Sequence, residues 1–172
     1  MRKAFNAQIN IDEVNIADIT FDVRSRDAIP KLLKGLQHIY LNTPLRTQVL
    51  ACLEKVIPQG TDTNVGRPGM TLWWILVLGT LRLGDNKDFD SLHELANQHM
   101  TLRQMMLHGC DDDYRYHRQT VIDNLSLFTP EILDEINQIV VAAGHELIKK
   151  TLCEGSSTAH SNFTRPLRLI CG

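Results

Sequence analysis

Residues 66–85, GRPGMTLWWILVLGTLRLGD, form the most apolar stretch of this chain. Its apolar run from Leu72 to Leu81 covers only about half of the roughly 20 residues that a membrane-spanning helix needs. Thr71 is a typical helix N-cap, and Gly84 is a typical residue at which a helix ends. The stretch therefore predicts the buried core helix of a helical protein that has no membrane partner.

The composition sets limits on the class of protein. A chain of 172 residues, 43% hydrophobic and 22% charged, suits one globular domain, or one domain with a tail. A formal net charge of -2 gives no global basic excess, so DNA contact would need a local patch or a basic partner domain. The cysteines have no CxxC spacing and the N-terminus has no apolar signal region, which predicts reduced thiols in a cytoplasmic protein.

Helical periodicity extends to both sides of the apolar stretch and predicts an all-α multi-helix bundle. Residues 1–26 alternate loosely and predict an extended arm or a short strand, while residues 27–150 form the helical domain. The periodicity ends near Lys150, which predicts an irregular, disordered tail over residues 151–172. Helices are expected at about 27–41, 45–57, 71–83, 90–99, 101–107, 114–128 and 130–150.

Two clusters of polar residues raise the question of a metal site. Asp111, Asp112 and Asp113 suit Mg²⁺ or Ca²⁺ by composition, but consecutive side chains point apart, so capping of the next helix is favoured. The nearby histidines and Cys110 lack the i,i+3 or i,i+4 spacing of helical metal ligands. We interpret them as surface histidines and a core thiol, at positions His93, His99, His108, Cys110 and His117.

No catalytic constellation is found in the sequence. The chain contains no GxSxG, GxxxxGK[ST], GxGxxG or HExxH motif, and no strand-rich segment that would carry such a site. The sequence therefore predicts a protein that is not an enzyme and that has no cofactor, no metal and no small-molecule substrate.

Residues 89–108, FDSLHELANQHMTLRQMMLH, have the spacing of a helix-turn-helix unit. In such units the second helix enters the DNA major groove, which makes Thr101, Arg103 and Gln104 candidates for base contacts. Arg115 and Arg118 follow in YRYHRQT and suit phosphate contact. Residues 66–120 contain six Arg/Lys against seven Asp/Glu, so plain helical packing remains the alternative.

The order of these features resembles the N-terminal region of bacterial insertion-sequence transposases. The likeness runs over roughly residues 1–150 through GRPGM, LGTLRLGDNKDFDSLHELANQH, TLRQMMLHG and DNLSLFTPEILDEINQIVVAAGHELIKK. It is nearest to the group called ISNCY and looser to the wider set with DDE catalytic domains. The resemblance implies a role in binding transposon-end DNA or in pairing transposase subunits, and Arg67 in the Gly-Arg-Pro leader becomes a further candidate for phosphate contact.

Nothing after Lys150 resembles the metal-dependent catalytic domain of that family, so no catalytic residue can be carried over. The change of character there motivates the hypothesis of a frameshift or truncation. The resulting expectation is a non-catalytic, DNA-binding transposase fragment whose partners are transposon-end DNA, a second copy or intact transposase. The alternative is a helical protein–protein interaction module without DNA binding, formed by the apolar stripes at 45–57 and 129–148.

Overall fold

The computed structural model describes residues 14–55 and 70–157. Within these ranges the chain forms seven α-helices and one 3₁₀ helix and has no strand, so the predicted all-α class is confirmed. After the 3₁₀ helix Ile16–Asp18 come α1 (Ile29–Leu41), α2 (Thr43–Glu54), α3 (Leu72–Gly84), α4 (Phe89–Gln98), α5 (Met100–Met105), α6 (Arg118–Leu125) and α7 (Pro130–Ser157).

The apolar stretch is the central helix α3, which packs against α1, α2, α4 and α6. The Thr71 hydroxyl accepts the amide of Trp74 at 3.2 Å, and the helix ends at Gly84 as predicted. Buried side chains lie on every side of α3, which is the pattern of a helix enclosed by others. Among the described helices none has the length and apolar character to cross a bilayer. The buried apolar residues are Leu72, Trp73, Ile75, Leu76, Val77, Leu78 and Leu81.

Local capping signals fix the ends of α1, α2 and α7. The Asn42 side chain accepts the amide of Leu45 at 3.2 Å, so the NTP sequence ends α1 and starts α2 as predicted. α7 starts at Pro130, also as predicted, and a hydrogen bond from the Thr129 side chain holds the pKa of Glu131 below its usual value. α7 packs mainly along α2.

The extended arm is not found over residues 14–26. Ile16 and Ile19 are buried in the core, and the buried Gln37 amide donates to their carbonyls at 2.6 Å and 2.9 Å. This segment is therefore part of the helical domain, because a side chain of α1 replaces the backbone partners that the turn lacks. Residues 1–13 lie outside the described ranges.

The C-terminal helix does not end at the predicted boundary. α7 continues past Lys150 to Ser157. Loss of an apolar stripe does not by itself end a helix, and no Gly or Pro occurs between Lys150 and Gly155 to stop it. Most of the predicted tail, residues 158–172, lies outside the described part of the chain.

Candidate nucleic-acid interface

The helix pair α4 and α5 is joined by a single residue. The Asp88 carboxylate caps α4 by accepting the amide of Ser91 at 2.7 Å, so the predicted start at Asp90 or Ser91 was too late. His99 ends α4, and its Nδ1 accepts the amide of Leu102 at 3.2 Å to cap α5. The connection is shorter than the turn of three to four residues in a DNA-binding helix-turn-helix unit. α4 and α5 therefore resemble that unit only in being two consecutive helices.

One face of α5 is fixed in the core and the other is accessible. Leu102 and Met105 are fully buried, whereas Met100 is 63% exposed. Thr101 and Gln104 are partly exposed. These two candidates for base contacts therefore lie at the surface of a helix that is held rigidly from behind.

Arg103 does not lie on the accessible face. Its side chain is 8% exposed, and its guanidinium donates to the carbonyls of Asp112 at 2.6 Å and Tyr114 at 3.0 Å. Those donors hold the loop after α5 and are not available to a base edge. The prediction that Arg103 reads DNA is therefore withdrawn, and we assign it as a positioning residue for this loop.

The remaining predicted arginines have different settings. Arg115 is exposed and donates to the carbonyl of Asn97 at 3.0 Å. Arg118 is exposed at the start of α6 and forms an ion pair with Asp90 of α4. Arg67 lies outside the described residues. Of the predicted arginines that the structure describes, Arg115 and Arg118 thus keep exposed side chains, and both lie at the end of the segment that leads into α6.

A polar cleft of about 500 Å³ separates the helix pair from the loop that follows α5. Gln98 and Gln104 line its helical side, and Arg115 and the carboxylates of residues 111–113 line the loop side. The charge of the cleft is therefore mixed. Among the described side chains, no three His, Cys, Asp or Glu residues are grouped as a metal site would require.

The core helix α3 holds the far end of α5. The Trp73 indole donates to the Met105 carbonyl at 2.8 Å, and the Trp74 indole donates to the Met106 carbonyl. Both carbonyls belong to the end of a short helix, where intrahelical donors are missing. The paired tryptophans, which gave no functional signal in the sequence, therefore fix the position of the candidate interface.

The residues after the loop are extended and not helical as predicted. The Asn97 side chain accepts the Tyr116 amide at 2.8 Å and donates to the Tyr116 carbonyl at 3.1 Å. This two-point contact replaces the helical hydrogen bonds, and α6 starts only at Arg118. Because no helix begins at residue 114, the aspartates at 111–113 are not its caps.

His108 and Cys110 have the opposite settings to those predicted. His108 is 3% exposed, while Cys110 is exposed. The His108 ring packs against Trp74 at 5.0 Å and against Tyr114 at 5.5 Å, measured between ring centroids, and those two rings also contact each other at 5.8 Å. A polar ring in this position is stable because its partners come from α3 and from the loop, which the local sequence does not reveal.

A hydrogen-bonded chain runs through this ring. His108 Nδ1 lies 2.5 Å from the Asp112 carboxylate, and Nε2 lies 2.6 Å from the Tyr116 hydroxyl. Burial alone would raise the pKa of Asp112, but the bonds from His108 and the Tyr114 amide outweigh it and lower that pKa. Burial raises the pKa of Tyr116, which is 2% exposed. A hydrogen on Nδ1 can donate to the Asp112 carboxylate while Nε2 shares a hydrogen bond with the Tyr116 hydroxyl, so these contacts hold the loop after α5 in place.

Comparison of this chain with protein-family models, with curated proteins and with solved structures gave no match. The transposase likeness therefore stays a prediction that rests on the order of sequence features.

Proposed function

We propose that this chain is a non-catalytic, transposase-type helical domain that binds transposon-end DNA through α5 and the segment leading to α6. The observation that supports this best is that Gln104 of α5 and Arg115 of the following segment line one surface cleft. A potential base-contacting side chain and a potential phosphate-contacting side chain thus line the same cleft, although they are 11 residues apart in sequence.

The dimensions of α5 are compatible with this role. A helix of 6 residues is about 9 Å long and can enter a major groove about 12 Å wide. Gln104 can form a bidentate pair with adenine, and Thr101 can contact either a base edge or a thymine methyl group. Arg103 contributes indirectly, because it holds the loop that carries Arg115.

The carboxylates beside the cleft restrict how DNA can approach. Asp111 and Asp113 are exposed and would repel a phosphate that lay over the loop. We therefore assign the phosphate contacts to Arg115 and Arg118, on the side of the segment that leads into α6. Two such contacts predict weak binding for one chain, with a shallow salt dependence: a slope of log binding constant against log salt concentration of about −2.

The base contacts are tested by measuring discrimination between DNA sequences. Duplexes tiled across the DNA that flanks the coding sequence, where the terminal repeats of an element would lie, compete with scrambled duplexes of equal composition. We expect one flanking duplex to bind preferentially, and Gln104→Ala to reduce this preference by ~1–3 kcal/mol, about 5- to 150-fold.

The matched control is Gln48→Ala, an exposed glutamine of α2. It should leave both affinity and preference unchanged. Equal affinity of the wild-type protein for all tiled and scrambled duplexes would contradict the proposal of sequence recognition.

A further inference from the structure

An apolar groove of about 680 Å³ opens between α1, α3 and α7, and it shares no lining residue with the cleft beside α5. Its volume lies within the range of about 300–1,000 Å³ that is usual for small-molecule sites. The groove is therefore large enough for a small ligand. Its apolar lining comes from all three helices and includes Leu36, Ile39, Leu76, Leu83, Ile136 and Val140.

The apolar side chains that α7 contributes to the groove are only partly covered. Leu133, Ile136 and Val140 follow at spacings of three and four residues, so they share one face of the helix, and each is partly exposed. Leu83 lies at the rim on α3 and is 58% exposed. Removing apolar surface from water is favourable in proportion to its area, so these side chains favour an apolar occupant.

The ionisable residues that line the groove are all basic and all lie on α1. Lys31, Lys34 and His38 have the spacing i, i+3, i+7, so they share one face of this helix, and all three are exposed. Among the described residues that line the groove, none is Asp or Glu. The groove thus combines a mainly apolar surface on α3 and α7 with a basic edge on α1.

The two lysines of this basic edge can accept an anionic partner. The ion pairs within the described ranges join other residues, so neither Lys31 nor Lys34 is paired with a carboxylate there. The Lys34 ammonium donates to Gln37 Oε1 at 2.8 Å. Because an ammonium group has three donors, this bond leaves donors for an anionic acceptor.

We propose that the apolar groove binds a small amphiphile with a carboxylate head group, of the fatty-acid class. The alkyl chain lies against Leu133, Ile136 and Val140. The carboxylate accepts charge-assisted hydrogen bonds from Lys31 and Lys34 at the basic edge. Tail and head group thus match the two parts of the groove. The proposal does not depend on DNA binding and concerns a different face of the molecule.

Isothermal titration calorimetry of the full chain with decanoate, below its critical micelle concentration, tests the proposal. We expect saturable binding of one decanoate per chain. Gly144 lines the groove, and a Cβ atom added there meets no atom of the described residues within 4 Å. Gly144→Leu should therefore keep the fold, checked by circular dichroism. It should raise the dissociation constant at least about tenfold, because the leucine displaces about two methylene groups of the ligand.

The basic edge is tested by a charge-removing double variant. Lys31→Gln combined with Lys34→Gln should raise the dissociation constant for decanoate at least about threefold, the modest effect of two solvent-exposed ion pairs. The matched control combines Arg24→Gln with Arg26→Gln, which removes two charges from exposed residues that do not line the groove. It should leave the constant unchanged. Decyltrimethylammonium, which has an alkyl chain of the same length and a cationic head group, should bind more weakly than decanoate.

Four outcomes would overturn the proposal. Absence of saturable decanoate binding would exclude a fatty-acid ligand. Binding that Gly144→Leu leaves unchanged would place the ligand outside the groove. Equal affinities for decanoate and decyltrimethylammonium would show that the basic edge does not select an anion. Flotation of the chain with phosphatidylglycerol vesicles, abolished by the double lysine variant, would assign the basic edge to a membrane surface.

Discussion

At the scale of single residues, Arg103 ties the loop after α5 to the helix that carries it. Its actual partners are two backbone carbonyls at positions 112 and 114, which approach it only after the loop folds back. His108 likewise depends on a distant part of the chain, because its ring is covered by a tryptophan of α3.

The positioning role of Arg103 predicts a loss of stability. Arg103→Met retains much of the apolar stem but leaves the Asp112 and Tyr114 carbonyls without this donor, which should lower the free energy of unfolding by ~1–3 kcal/mol. Urea unfolding followed by tryptophan fluorescence measures this loss. Arg118→Met removes an exposed, ion-paired arginine and should cost clearly less than Arg103→Met, because solvent screens an exposed ion pair. Equal losses in the two variants would contradict the assignment.

At the scale of helices, local signals predicted most boundaries and failed where distant contacts decide. Thr71, Asn42 and Pro130 each mark a helix start through a cap or a fixed φ, so their effect is readable within a few residues. Residues 114–117 have helical periodicity but are extended, because Asn97 of α4 binds the Tyr116 backbone. No local pattern contains that contact.

The helical glycines predict stability changes of opposite sign. Gly35→Ala should raise the free energy of unfolding by ~0.5–1 kcal/mol, since a Cβ there meets open space and alanine favours the helix. Gly79→Ala should lower it by ~1–3 kcal/mol, because a Cβ there would lie 2.5 Å from the Phe128 ring. Thermal or urea unfolding measures both changes. A gain for Gly79→Ala would show that the ring moves aside freely.

At the scale of the whole molecule, the all-α class and the central position of α3 followed from composition and periodicity. The surface relationships did not. Gln104 and Arg115 share a cleft only because α3 and Asn97 fix the loop after α5. The apolar groove of about 680 Å³ that α1, α3 and α7 line likewise requires three helices that are distant in sequence.

The proposed DNA-binding role requires Arg115 and Arg118 to neutralise DNA phosphates. Fluorescence anisotropy gives the binding constant for a flanking duplex as a function of salt concentration. We expect the slope of log binding constant against log salt concentration to become less negative by about one for Arg115→Gln and for Arg118→Gln. Arg24 is an exposed arginine in the turn before α1, and Arg24→Gln should leave this slope unchanged. Negligible binding at low salt, or equal slopes for the wild-type protein and all three variants, would contradict the proposed DNA-binding role of Arg115 and Arg118.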